Sequence, residues 1–385
     1  MKKVYLDNAA TTQVDKKVFN AMKPYFMEKY GNASEPHSWG RKAKVGIENA
    51  RKIIADFLGA KPYEIVFTSC STESINLAHK GLIESITSPY EKPHIITTQI
   101  EHKAVLETCK HLNAEVTYVP VDKYGMVKVK DIEEAIKPNT VLVSVMYVNN
   151  EVGTIQPIKE IGDMLTRLNH ITHSPIYFHV DATQAIQYLD CNVDHLGVDL
   201  LSFTGHKIHA PKGIGALYVR YGTPMSRQQD GGGQEFGLRA GTENVPYIVG
   251  LGKAIEMIDF SHNDKITELR NILIDSMAQV PNVILTGHLT QRVPHIASFA
   301  FKDLNGEDIV NLLSEKGIAS ASGSACTASS IEVSHVLDAM DLEEEWIKGS
   351  LRLSLSRYTT REEIDFVVKN LLTILNKLGL IKERK

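Results

Sequence analysis

The chain has 385 residues, 43% of them hydrophobic, and a formal net charge of -4. That length and apolar content suit a globular protein of two domains that buries its core without staples. The mild acidity and the scattered lysines exclude a nucleic-acid footprint. Cys70, Cys109, Cys191 and Cys326 form no CxxC pair and no Cys/His zinc spacing, so neither a disulfide framework nor a metal site is expected.

The N-terminal MKKVYLDNAATT has two lysines but no apolar segment behind them, unlike a signal peptide. No apolar run approaches the ~18 residues of a membrane helix. A soluble protein of the reducing cytoplasm is expected, with no nucleic-acid or membrane partner.

From about residue 50 strand-like and helix-like segments alternate. Residues 64–68 (EIVFT) read as a strand and SCSTESINLAHKGL as the helix after it. Residues 94–98 are strand-like, and HKAVLETCKHL has helical apolar spacing at Val105, Leu106 and Cys109. VTYVPV follows, then a helix near residues 132–136. The near-continuous apolar run 140–149 reads as a buried parallel strand. Pro157 opens a helix with Ile158, Ile161 and Leu165 on one face. Segments 175–180, 199–203 and 215–219 complete the strands.

Such alternation predicts an α/β fold with a largely parallel sheet, ligands binding beyond the carboxyl ends of its strands. After about residue 255 the texture changes. A helix with Ile266, Leu269, Leu273 and Met277 on one side is followed by the short strand HIASFAF and a helix over 306–315. A capping-box pattern at 360–363 opens a final helix carrying Ile364, Val367, Val368, Leu371 and Leu375. This predicts a large α/β domain over 14–256 and a smaller α+β domain from 1–13 and 257–385.

Polar residues just past the strands are the candidates for chemistry. Lys207, in SFTGHKIHAPKG, can reach a ligand crevice, where a crowded lysine becomes a nucleophile. Asp181, in HVDATQA, would need a cationic partner or several hydrogen bonds at that depth, and a protonated pyridine nitrogen is one such partner. Ser71 and Thr72 open a helix whose first N–H groups suit an anion. His102, in QIEHKA, could stack on a flat ring or shuttle protons. Taken singly, each also reads as a solvated loop residue or an ordinary helix cap, and for Lys207 and His102 that plain reading is the better one. Neither a Walker A pattern nor a GxGxxG after a strand is found, so an NTP or a dinucleotide held in the usual way is excluded.

Ten motifs in order run nearly end to end: YLDNAATT (5–12), GNASEPHSWGR (31–41), TSCSTESINLA (68–78), EHKAV (101–105), VNNEVGTIQP (148–157), HVDATQA (179–185), SFTGHKIHAPKGIGALYVR (202–220), GGGQEFGLRAGTEN (231–244), SGSACTASS (322–330) and SLRLSLSRYTT (350–360). With them the chain resembles the NifS/IscS cysteine desulfurases, pyridoxal 5'-phosphate enzymes of the class V branch of the aspartate-aminotransferase fold (fold type I).

The resemblance implies roles for particular residues. Lys207 matches the Schiff-base lysine, Asp181 the acid that keeps the pyridine nitrogen protonated, Gln184 the partner of the ring oxygen, and His102 the ring-stacking histidine that helps move protons. Ser71, Thr72, Thr204 and His206 match the phosphate set. Thr242 matches a phosphate contact from the other subunit, which implies a homodimer. Asn150 and Arg352 match the residues that hold the carboxylate of L-cysteine. Cys326 matches the nucleophile that takes up sulfur as a persulfide, with alanine leaving and an iron–sulfur scaffold protein of the NifU/IscU kind as acceptor. Cys70 stands where the family usually has glycine, which puts a second thiol beside the phosphate site. The competing readings are a selenocysteine lyase, which stays open because selenium is attacked in the same geometry, an aminotransferase or other class V enzyme, since transamination has no need of the Cys326 loop, and a structural assembly subunit, which has no need of Lys207, Asp181, His102, Arg352 and Cys326 together.

Overall fold

The structure, a computed structural model of the chain, describes residues 2–86, 92–171, 175–323 and 333–380. Strand β1 (Val4–Tyr5) is short and pairs far along the chain. Strands β2 (Ile65–Thr68), β3 (His94–Thr98), β4 (Glu115–Val119), β5 (Thr140–Met146), β6 (Tyr177–Asp181), β7 (Leu200–Thr204) and β8 (Gly215–Val219) form one seven-stranded sheet, in the order β2-β8-β7-β6-β5-β3-β4. Every residue of β2, β3, β5, β7 and β8 is buried. Their side chains alternate between two cores: Ile65, Phe67, Val143, Val145, Leu201 and Phe203 face one, and Val66, Ile95, Leu142, Leu200 and Leu217 the other. Helices cover both faces, which is why these strands are apolar throughout rather than at every second residue.

The sheet is parallel except at β8, which runs antiparallel to both β7 and β2. The reason is chain length. Only residues 205–214 separate β7 from β8, too few for the crossover a parallel pair needs. That tight return carries Lys207. Strand β5 ends at Met146 rather than at the expected residue 149, because Asn149 closes a turn there, its Oδ1 accepting from the N–H of Glu151 and Val152, both 2.9 Å.

A second, antiparallel sheet holds β9 (Val283–Leu285), β10 (Ile296–Phe301) and β12 (Ser350–Ser354), with β10 in the middle; β11 (Ile318–Ala319) pairs instead with β1. Helices His262–Ala278 and Gly306–Glu315 pack on these strands, and Arg361–Lys377 packs on both helices. The last begins in the capping box read from the sequence, Thr360 and Glu363 each capping the other's end. Beyond β1 the chain bridges to β12 at Asp7 and Ser354, so the N-terminal segment runs from the small sheet across to the large one.

Helices Lys16–Met22, Ser38–Leu58 and Val245–Glu256 were not anticipated. The last two pack closely through small residues. A Cβ on Gly252 would lie 2.7 Å from Ala50 Cα, so glycine and alanine carry this contact where bulky apolar residues would have signalled it.

Candidate active site

The site gathers where β2, β3, β5, β6 and β7 end and the N-terminal segment passes over them. Lys207 follows β7 in a short 3-10 turn, Gly205–Lys207. Its Nζ donates to the carbonyls of Ala9 at 2.7 Å and Ala10 at 2.6 Å. Gln184 Nε2 donates to the same Ala9 carbonyl at 2.9 Å, so this carbonyl brings the two side chains to one point. Asp181 ends β6 buried, and its Oδ1 accepts from Thr183 N at 2.9 Å. His206, beside Lys207, contacts Thr11 Oγ1 through Nδ1 at 3.2 Å. Burial, with Lys207 and Lys212 nearby, pushes its imidazole down to about 4.

Helix Ser71–Ser85 opens this site with its N-terminus. Its N-cap is Cys70, which makes no side-chain cap hydrogen bond. First-turn N–H groups of a helix have no intrahelical partner, and their dipoles favour an anion. Ser71, buried at the helix start, accepts at Oγ from the Thr183 hydroxyl, 2.8 Å, which ties this N-terminus to the loop after Asp181. Thr204 is buried and its hydroxyl donates to Ile214 O at 3.0 Å, leaving its lone pairs as the available function.

His102 is the N-cap of helix Lys103–His111. Its Nδ1 accepts from Ala104 N at 3.1 Å, so in the neutral ring the proton sits on Nε2. Protein packed against the ring lowers its pKa; Asp181 opposes this, while Lys207, His335 and Lys103 add to it. Thr72 and His102 line a common depression of about 400 Å³. This geometry makes His102 a donor at Nε2.

On the other side, Arg352 of β12 donates from Nη1 to Asn150 O at 2.8 Å and pairs through Nη2 with Asp7 Oδ1 at 3.0 Å. Its Nε is buried with no hydrogen-bond partner. Asn150 therefore meets Arg352 through its backbone carbonyl. Next to it, Glu151 accepts from the Ser334 hydroxyl at 2.6 Å, and burial raises its pKa despite Ser334, His335 and Arg352. Ser334 and Gly323 flank the stretch that carries Cys326, which lies outside the described residues.

Thr242 does not join the others within one chain. It is exposed and lines a separate depression of about 260 Å³ with Phe67, Ser69 and Arg239. A larger cavity, about 790 Å³, is lined by Leu304, Val333, Glu343 and Ile347 and holds none of the expected site residues.

Two groups beneath the site escaped sequence reasoning. Glu101 is fully buried between β3 and β5; Thr98 Oγ1 and Met146 N donate to its Oε1 at 2.7 and 3.0 Å, and its Oε2 has no partner. Burial, with Asp181 nearby, pushes its carboxyl up to about 8. Asp7 was likewise missed as the partner of Arg352. The quoted motifs EHKAV and YLDNAATT contained both, but nothing local marks either as buried or paired. Among the described residues no cluster of His, Cys, Asp or Glu could hold a metal, and no helix is long and apolar enough to cross a membrane.

What the arrangement offers is an amine, an uncapped helix N-terminus for a phosphate, a buried carboxylate and a half-paired guanidinium. Pyridoxal phosphate fits this donor set: aldehyde, phosphate and pyridine nitrogen each find a matching group.

Comparisons with known proteins agree with this chemistry. Residues 4–367 match the aminotransferase class-V family. A relative from Methanosarcina thermophila named cysteine desulfurase IscS is 47% identical over 98% of this chain and 93% of its own. Another of that name, from Dictyoglomus turgidum, is 43% identical over 100% of this chain and 97% of its own. Among solved structures, a NifS-like protein superposes with a TM-score of 0.90 at 40% identity, covering 98% of this chain and all (100%) of the other. One described as SspA in complex with cysteine gives 0.82 at 39% identity, covering 93% and 100%. This chain therefore belongs to the class-V aminotransferase family, whose members are pyridoxal phosphate enzymes.

Proposed function

We infer that this chain is a pyridoxal phosphate-dependent cysteine desulfurase that converts L-cysteine to L-alanine and takes the sulfur onto Cys326. The observation that carries the reading is the meeting of Lys207 Nζ and Gln184 Nε2 on one carbonyl, beside an uncapped helix N-terminus and a buried aspartate. A solvated loop lysine has no reason to sit there. Bound in this crevice, the cofactor supplies an electron-withdrawing ring that labilises bonds at the substrate Cα.

We assign the following roles to the chain's own residues. With the cofactor bound, Lys207 would hold its aldehyde carbon, Asp181 the proton on its ring nitrogen and Gln184 its ring oxygen. The N–H groups at Ser71 and Thr72, their hydroxyls, Thr204 and His206 would take the phosphate, and Thr242 would add to that set from a second copy. Arg352, steadied by Asp7 and the Asn150 carbonyl, turns its remaining donor capacity to the substrate carboxylate. His102 moves a proton at Nε2, as a donor while Ala104 N holds its Nδ1.

The sulfur step balances without an added oxidant. The Cys326 thiolate attacks the substrate sulfur, an S–S bond forms, and the C–S bond breaks. Its electron pair stays with the carbon, which takes up a proton to become the methyl of alanine. Cys326 is left as a persulfide for a sulfur acceptor, a scaffold protein of the NifU/IscU kind, in the cytoplasm. Residues 14–256 form the cofactor domain on this reading, and 1–13 with 257–385 the substrate-side domain, in keeping with their separate sheets.

A homodimer is part of the same proposal. Phe19, Phe26, Met27, Tyr30, Trp39 and Val45 are exposed within one N-terminal stretch, apolar side chains of the kind a subunit interface would cover.

The test is mass spectrometry after adding cysteine. One extra sulfur on the Cys326 peptide and loss of alanine formation in Cys326→Ala, with cofactor absorption intact, are expected. Sulfur confined to Cys70, Cys109 or Cys191 would overturn the assignment.

A further inference from the structure

Gln184 has both ends of its amide engaged. Nε2 donates to the Ala9 carbonyl at 2.9 Å, and since a carbonyl only accepts, this contact decides which end is nitrogen. Oε1 is then the atom 3.3 Å from His295 Nε2. An amide oxygen only accepts, so His295 carries its proton on Nε2. Its Nδ1 is buried with no partner. Burial, with Arg352, Arg270 and Lys207 nearby, pushes this histidine down to about 3, so it stays neutral with a single N–H.

The ring is held on one further side, and the backbone of the residue is tied as well. It stacks on Tyr188 with centroids 4.1 Å apart and planes 14° apart. Its backbone carbonyl accepts from Leu355 N at 2.8 Å. His295 also precedes β10, whose first residue, Ile296, pairs with Ser354 of β12, the strand of Arg352.

We propose that His295 is a positioning residue for the reaction. Its Nε2–H holds Gln184 Oε1 away from the crevice, and thereby aims the Gln184 amide nitrogen at the cofactor ring oxygen. The inference rests on the role given to Gln184 above. Without this donor the amide keeps only the Ala9 contact, and it can swing about that bond. The same contact joins the segment before β10, which pairs with the strand of Arg352, to the side chain that would meet the ring.

The test uses the holoenzyme and three variants. His295→Phe keeps a ring against Tyr188 but removes the N–H. His295→Gln restores a donor near Nε2, and Gln184→Ala removes the group being aimed. The phenylalanine variant should release cofactor with an affinity lower by about tenfold, as for one lost buried hydrogen bond, and the pH titration of the visible absorption band should move. The glutamine variant should recover most of both. In the Gln184→Ala background His295→Phe should add nothing. If phenylalanine does not fold, His295→Leu serves the same arm. An unchanged titration and affinity in the donor-less variant, equal deficits in the Phe and Gln variants, or additive effects with Gln184→Ala would each overturn the proposal. Alanine formation by the parent protein is measured alongside. If the parent fails, the functional reading falls; if it succeeds while these arms fail, only the role of His295 falls.

Discussion

Replacing Glu101 by glutamine should change how stability depends on pH. The carboxyl is fully buried, both of its donors converge on Oε1, and Oε2 meets nothing. The native state therefore keeps the proton until about pH 8, whereas the ordinary value is 4.5. Between those values the folded protein binds one proton that the unfolded chain has released. Stability then falls as pH rises, by about 1.4 kcal/mol per unit. Below the window both states are protonated and above it both are ionised, so the dependence flattens at each end. Across the full span from 4.5 to about 8 the effect is on the order of 5 kcal/mol, an upper figure. Glutamine accepts the same two donors but titrates nowhere. It leaves an N–H₂ where Oε2 found no partner, a fixed cost of roughly 1–3 kcal/mol. Denaturant unfolding of both proteins at one-unit steps from pH 5 to 9 isolates the effect, because every other group is shared. The variant should gain on the parent steadily toward pH 8 and then hold level. A difference that does not change with pH would refute the neutral, buried Glu101.

Three other outcomes follow from the geometry. Arg352→Lys keeps the charge but loses the planar fork that spans Asn150 O and Asp7; on the proposed role in holding the substrate carboxylate, KM for cysteine should rise roughly 10- to 100-fold in steady-state kinetics, with cofactor absorption unchanged. Gly215→Ala places a Cβ 2.7 Å from the Cys70 carbonyl carbon and 2.9 Å from Phe203 O. Since neither backbone atom yields cheaply, cofactor affinity should drop and stability fall by about 1–3 kcal/mol, read by absorption titration and thermal melts. Glu235→Ala leaves Arg51 buried without the carboxylate that meets it at 2.8 and 2.9 Å. A loss of about 3–5 kcal/mol is expected in denaturant unfolding, while Glu235→Gln, which keeps a hydrogen-bonding partner, should lose less.

Much of the candidate site was legible because strand ends can be read from sequence. Lys207, Asp181, Ser71 and His102 each follow an apolar run, and a buried parallel sheet presents such residues along one edge. The helix from Thr360 was legible through its capping box, which is a local hydrogen-bond pattern. The chemical inventory of the site, and the family resemblance that organised it, were therefore in the order of residues along the chain. Partnership was not. Asp7 meets Arg352 across 345 positions, and Gln184 meets His295 across 111; no local pattern encodes either contact. The antiparallel turn of β8 depended on counting a connection, and the contact of helices Ser38–Leu58 and Val245–Glu256 on small residues that read as weakly apolar. Protonation was the least visible property. Burial holds a proton on Glu101, whose second oxygen finds no donor, and nothing in its local sequence says so. Sequence determined which groups stand just past the strand ends, at the candidate site. Tertiary structure decided which of them are charged, which way they donate and what holds them in place, because burial and distant contacts exist only once the chain has folded.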